Sequence, residues 1–160
     1  MSTSTVKETV EVGVPVHTAY NQWTQFEHFP HFMEGVEEVR QLDDRHNHWI
    51  TSIGGVRREF DTEIVDQAPD ERITWHSVDG DTRQRGSVRF EPLDAERTRV
   101  ELSMVVEPTG VAEKSADMLG VIDRRVKGDL RRFKDYIEDR GGETGGWRGR
   151  IRPEDPGTSL

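Results

Sequence analysis

The stretch HWITSIGGVRREFDTEI (residues 48–64) decides the fold. On one side of Gly54-Gly55, Trp49, Thr51 and Ile53 share a face with Asn47, and His48, Ile50 and Ser52 take the other. On the far side Arg58, Phe60, Thr62 and Ile64 alternate with Glu59, Asp61 and Glu63. Period two on both sides of a glycine pair predicts two antiparallel strands joined by a tight turn. The acidic face of the second strand belongs in solvent, so Arg58, Phe60 and Thr62 face inward. The Trp49 face of the first strand is taken as inward too.

The same period extends outward through the middle of the chain. Strands are expected at 36–43, 47–54, 57–67, 72–78, 83–92 and 98–107, separated by turn-forming clusters such as DDRHN, APDE, DGD and LDAE. Ile73, Trp75 and Ser77 are inward on one strand, Gly86, Val88 and Phe90 on the next, and Val100, Leu102, Met104 and Val106 on the last. Upstream, TVKETVEV (5–12) alternates and supplies a further strand. Between it and the meander, Val16, Ala19, Tyr20 and Trp23 mark one face of a helix. Pro30 interrupts that pattern, which predicts two short helices with a break near 25–30. Phe26, Phe29 and Phe32 then close one end of the sheet, and His28 and His31 fall off the stripe toward solvent.

Residues 113–139 return to helical period, with Leu119, Ile122, Val126, Leu130, Phe133 and Ile137 on one face. Arg124, Arg125, Lys127, Arg131, Arg132 and Lys134 are read as solvated. Such a helix is roughly 40 Å long. It is the one element long enough to cover the apolar face of a seven-stranded sheet. The predicted architecture is α+β: a curved seven-stranded antiparallel sheet, two short helices and one long C-terminal helix, forming a single domain over residues 1–140. Residues 141–160, rich in Gly, Arg and Pro, read as a flexible tail with a possible docking of Trp147.

Bulk properties exclude several classes of function. The 160 residues carry a net charge of −9, which argues against nucleic acid as a partner. There are no cysteines, so disulfides and thiolate chemistry are out. Neither a secretory h-region nor a membrane-length apolar run occurs, which predicts a cytoplasmic protein without stable membrane insertion. His28-x-x-His31 and His46-x-His48 have the look of metal-ligand pairs, yet no H-E-x-x-H or carboxylate array accompanies them, and no metal or cofactor is expected. Nucleophile elbows and phosphate loops are missing as well.

The order of elements, with VPVHTAYNQWTQFEHFPHFMEGVEEV, HWITSIGGVRREFDTEI, PDERITWHSVDG and GSVRFEPL, resembles the polyketide cyclase/dehydrase-like branch of the START-like (SRPBCC) helix-grip superfamily, which has many bacterial members, across residues 4–140. RGGETGGWRG also resembles the tails of bacterial members. The resemblance implies an apolar cavity beneath the long helix. The expected function is binding of an apolar or aromatic small molecule (lipid-, isoprenoid- or polyketide-like) in that cavity; the alternatives are an aromatase/cyclase or dehydratase acting by positioning and acid–base catalysis there, and an interaction protein with a filled cavity.

The expected lining is Trp49, Thr51, Ile53, Arg58, Phe60, Thr62, Trp75, Ser77, Val88, Phe90, Leu102 and Met104, with Leu119 and Gly120 from the helix. Arg58 on an apolar face either binds a polar ligand group or reaches solvent or an acid. Gly120 either opens space or packs against a ring. For catalysis, Arg58, Tyr20, Thr62 and Ser77 are the available polarising groups, and no inward His or Asp is apparent to serve as base. The turn at 54–57 and the segment 107–115, with Pro108 and Gly110 as hinge points, would gate the cavity.

Overall fold

The structure is a computed structural model that describes residues 4–80, 83–107 and 116–153; of residues 4, 106, 107 and 116–119 only the backbone is considered. Seven strands run β1 (Ser4–Val12), β2 (Val36–Gln41), β3 (His46–Ile53), β4 (Val56–Ala68), β5 (Arg72–Gly80), β6 (Arg83–Asp94) and β7 (Arg97–Glu107). They form one antiparallel sheet in the order β1-β7-β6-β5-β4-β3-β2. This is a meander whose last strand pairs with the first. Helix α1 (Val16–Trp23) and a 3-10 helix (Phe26–His31) link β1 to β2, and the long helix α2 (Ala116–Arg140) follows β7.

The glycine pair acts as the alternation requires. Ile53 faces Val56 across a two-residue turn. Gly54 and Gly55 have φ of 62° and 79°, the two positive values of a type I′ hairpin. Register shifts in β4 at Asp61/Thr62 and Ile64/Asp66, and in β6 at Pro92/Asp94, mark bulges. Bulges bend strands and raise local twist, and so curl the sheet around α2.

Helix α2 buries Val126, Leu130, Phe133 and Ile137 against the concave face, the stripe its 3.6-residue period specifies. Its C-terminal half is tied to β1. Glu138 accepts the Gly13 N–H at 2.6 Å, and Lys134 Nζ donates to the Glu11 carbonyl at 3.1 Å. Trp23 links the two ends of the core, packing edge-to-face on Phe29, Phe90 and Phe133.

Two expectations need correction. The break between the short helices falls at Thr24–Gln25, and Pro30 lies inside the 3-10 helix. Proline has no N–H to give and disfavours α geometry at Phe29, so this segment winds as 3-10 turns. The chain after α2 is also docked on the domain as far as Ile151. Thr144 and Gln22 exchange two hydrogen bonds, of 2.8 and 3.1 Å. The Trp147 N–H donates to Thr24 Oγ1 at 3.0 Å, and Ile151 forms a two-bond bridge with Gln67 of β4. Composition alone misread this stretch, because a few well-placed polar and apolar anchors (Thr144, Trp147, Ile151) suffice to dock a Gly-rich strap. Residues 154–160 lie outside the described residues. Among the described residues, no helix is long and apolar enough to cross a membrane.

Candidate functional site

Between the sheet and α2 lies a cavity of about 130 Å3. Parity along the strands puts most of its wall where the sequence pattern places it. Trp49, Thr51 and Ile53 of β3 line it, with Phe60 and Thr62 of β4, Trp75 of β5, and Leu102 and Met104 of β7. The Trp49 ring lies parallel to Phe60, with centroids 6.1 Å apart, and its Nε1 donates to Thr62 Oγ1 at 2.8 Å. Trp75 reaches the cavity over Gly86, its partner on β6. A methyl group at Gly86 would stand 2.7 Å from the Trp75 ring and 2.8 Å from the Ser103 carbonyl, so only glycine lets that ring lie flat across β6.

Other expected wall residues sit elsewhere. Val88 and Phe90 share the inward parity but are packed solid, Phe90 against Tyr20 and Trp23. Tyr20 is fully buried away from the cavity; its hydroxyl accepts from Gln67 Nε2 at 2.9 Å. Ser77 belongs to an open groove on the β5–β6 hairpin, and its hydroxyl accepts the Gln84 N–H. Arg58 is only 9% exposed and does not border the cavity. Gly120 does not border it either. A methyl group there would meet only the Arg124 guanidinium, at 3.6 Å, so no ring packs on it among the described residues. The Leu119 side chain and the hinge segment 108–115 lie outside the described residues.

The rest of the wall comes from elements that strand parity does not reach. Trp23, Phe26, Phe29 and Met33 form one end. The aromatic run read as a structural floor therefore also faces the cavity. Asn47, Ile64, Ile73 and Gln84 continue the inward faces already assigned to their strands. From α2 come Ile122, Arg125, Val126, Asp129 and Leu130. Asp129 corrects the expectation that no His or Asp points inward, and Arg125, expected among the solvated positions, is partly exposed yet also borders the cavity. Position 129 lies three residues from Val126 and seven from Ile122, on the edge of the buried stripe, which is the one sequence signal that could have found it.

Asp129 is 8% exposed. Its Oδ1 accepts the Glu34 N–H at 3.1 Å and a short hydrogen bond from Arg132 Nη2. Burial pushes its carboxyl above the ordinary range, against the opposing pull of Arg132 and the Glu34 N–H. Glu34 in turn takes Arg125 Nη1 at 2.7 Å and Arg132 Nη1 at 3.2 Å. The cluster therefore holds two acids and two guanidiniums. Gly35 makes room for it: a methyl there would come within 2.8 Å of Ile53 and 3.5 Å of the Arg125 stem.

The histidines lie apart from this site. His28 bonds Thr144 Oγ1 at 2.9 Å, and His31 stacks on Tyr136. His48 Nδ1 lies 2.6 Å from Asp61 and its Nε2 3.2 Å from Glu59, on the convex face. His76 Nε2 lies 3.3 Å from Glu63. No group of three or more metal-ligating side chains occurs among the described residues.

Residues 12–135 match the family described as polyketide cyclase/dehydrase and lipid transport. The chain belongs to this family. A curated relative, an uncharacterized 17.2 kDa protein from Streptomyces lincolnensis, is 57% identical over 148 residues, covering 92% of this chain and 99% of its own. Among solved structures, the Zhui aromatase/cyclase from Streptomyces sp. R1128 superposes with a TM-score of 0.76 at 18% identity, covering 91% of this chain and all of its own. A START superfamily protein from Mycobacterium smegmatis gives 0.63 at 20% identity, over 80% and 97%. At these identities the two structures establish the shared helix-grip fold, with its curved sheet around a long C-terminal helix.

Proposed function

We propose that this polyketide cyclase/dehydrase-family chain binds a small, mainly apolar molecule in the cavity between the sheet and α2. The observation that carries this reading is a mainly apolar, ring-lined cavity under α2 that the described side chains leave open. Tryptophan and phenylalanine rings on its wall offer broad contact faces to a guest. The size is comparable to an engineered cavity of about 150 Å3 that takes up benzene. A single ring or a short chain therefore fits without rearrangement, and a larger guest requires the walls to move.

The test is native mass spectrometry of protein purified from cells that naturally make it. A retained small molecule is expected, and it should be lost from a folded Leu102→Trp variant, whose indole would plug the cavity. Equal retention by that variant would place the molecule elsewhere.

Asp129 favours a second reading, acid–base chemistry on a carbonyl compound. A carboxylate whose pKa burial pushes upward is a stronger proton acceptor than an ordinary one, and the cavity would hold the substrate against it. The reaction to follow is exchange of the α-protons of a small cyclic β-diketone in D2O, read by NMR. Acceleration by the wild type and its loss in Asp129→Asn supports this reading; no acceleration discards it.

A further inference from the structure

The cavity has a polar end. On β3 and β4, Asn47 and Thr62 are directly opposed partners, and both line the cavity. Asn47 is 2% exposed, and its Oδ1 is buried with no hydrogen-bond partner among the described residues. Buried polar atoms are paired as a rule, so this one asks what it pairs with. Thr62 Oγ1 already accepts from Trp49 Nε1, which leaves its hydroxyl hydrogen to donate. Opposed side chains on adjacent antiparallel strands hold their Cβ atoms about 4.5–5.5 Å apart. The site thus sets the Asn47 carbonyl oxygen, an acceptor, beside the Thr62 hydroxyl, a donor, with the Asn47 NH2 as a further donor.

That pair complements a hydroxyl group, which donates one hydrogen bond and accepts another. An ether accepts only, and a hydrocarbon does neither. A carboxylate would also need positive charge; the guanidinium on the described wall, Arg125, is already ion-paired with Glu34 through Nη1, and its buried Nε, which has no partner among the described residues, makes benzoate the necessary control. Resting on the binding reading above, we propose that the cavity selects a neutral phenol or small alcohol, its OH held between Asn47 Oδ1 and the Thr62 hydroxyl.

Calorimetric titration with phenol, toluene, anisole and benzoate tests this, with tryptophan fluorescence as a second readout because Trp23, Trp49 and Trp75 border the cavity. A wall of hydrocarbon alone prefers toluene. Here phenol should bind at least as tightly as toluene, and about tenfold tighter than anisole, the factor one well-made hydrogen bond supplies. Asn47→Leu should weaken phenol by about tenfold and leave toluene within about threefold. Should that variant not fold, Thr62→Val and the wild-type series decide. Toluene binding tighter than phenol, benzoate binding tighter than phenol, or equal loss of phenol and toluene in Asn47→Leu would overturn the hydroxyl site while leaving a binding cavity. The first of those results would mean that Asn47 is satisfied by water. If none of the four compounds binds, the binding reading itself falls.

Discussion

Val126→Ile puts the cavity to a test of sign. Val126 lies on α2 and borders the void. Isoleucine keeps the β-branched rotamer preference of valine in a helix, so the change adds one methylene with little side-chain cost. If that group enters the cavity and is buried there it gains about 0.8 kcal/mol. Val88→Ile is the control. Val88 has the inward parity of a wall residue, yet it is fully buried and does not border the cavity. An extra methylene there has nowhere to go and should cost about 1–3 kcal/mol. Urea unfolding reads both variants: the midpoint should rise for Val126→Ile and fall for Val88→Ile, each with the wild-type m-value. Val126→Ile should also weaken any guest. Destabilisation by both, with similar size, would mean that side chains fill the space beside Val126 and that the argument from the cavity fails.

Three further outcomes follow from the same structure. Ile151→Ala should cost about 2 kcal/mol or more in urea unfolding, since Ile151 is buried against β4; a loose tail would make the change silent. Gly86→Ala should cost about 1–3 kcal/mol and shift the Trp75 fluorescence, because the new methyl meets both the ring and the Ser103 carbonyl. The His48 pairs should make stability pH-dependent. Hydrogen bonds that the His48 ring donates to Asp61 and then to Glu59 raise its pKa above 6.5, against opposing pulls from burial and Arg40. This contribution is complete below the unfolded-state pKa and is lost as pH rises through the folded one. Compared with His48→Gln, the wild type should therefore be favoured more at pH 5.5 than at pH 8.5, by less than about 1 kcal/mol. A difference independent of pH would show that the imidazole charge contributes nothing.

The sheet was legible because period-two alternation and the Gly54-Gly55 turn fix register residue by residue. The same pattern could not say which inward side chains border a void. Val88 and Leu102 are partners on adjacent strands with equal parity. One is packed solid and the other faces open space, because α1 and α2 cover the sheet unevenly. Asp129 and Arg125 are hard to place on the wall for a related reason. Periodicity gives the centre of a helical stripe well and its edges poorly, and both residues sit on an edge. The docking after α2 rests on long-range bonds such as Gln22–Thr144, for which the local composition carries no signal. The identity of the guest is one step further removed. It depends on how Asn47, Thr62 and the surrounding rings meet in space, not on any motif along the chain.

The central claim, that the space under α2 takes up a small molecule, is tested most directly by a two-dimensional NMR titration of the full chain with toluene and phenol. Saturable shifts centred on Trp49, Ile73, Leu102 and Val126 are predicted. Shifts that do not saturate, or that gather at exposed apolar residues such as Leu42 and Val78, would contradict it.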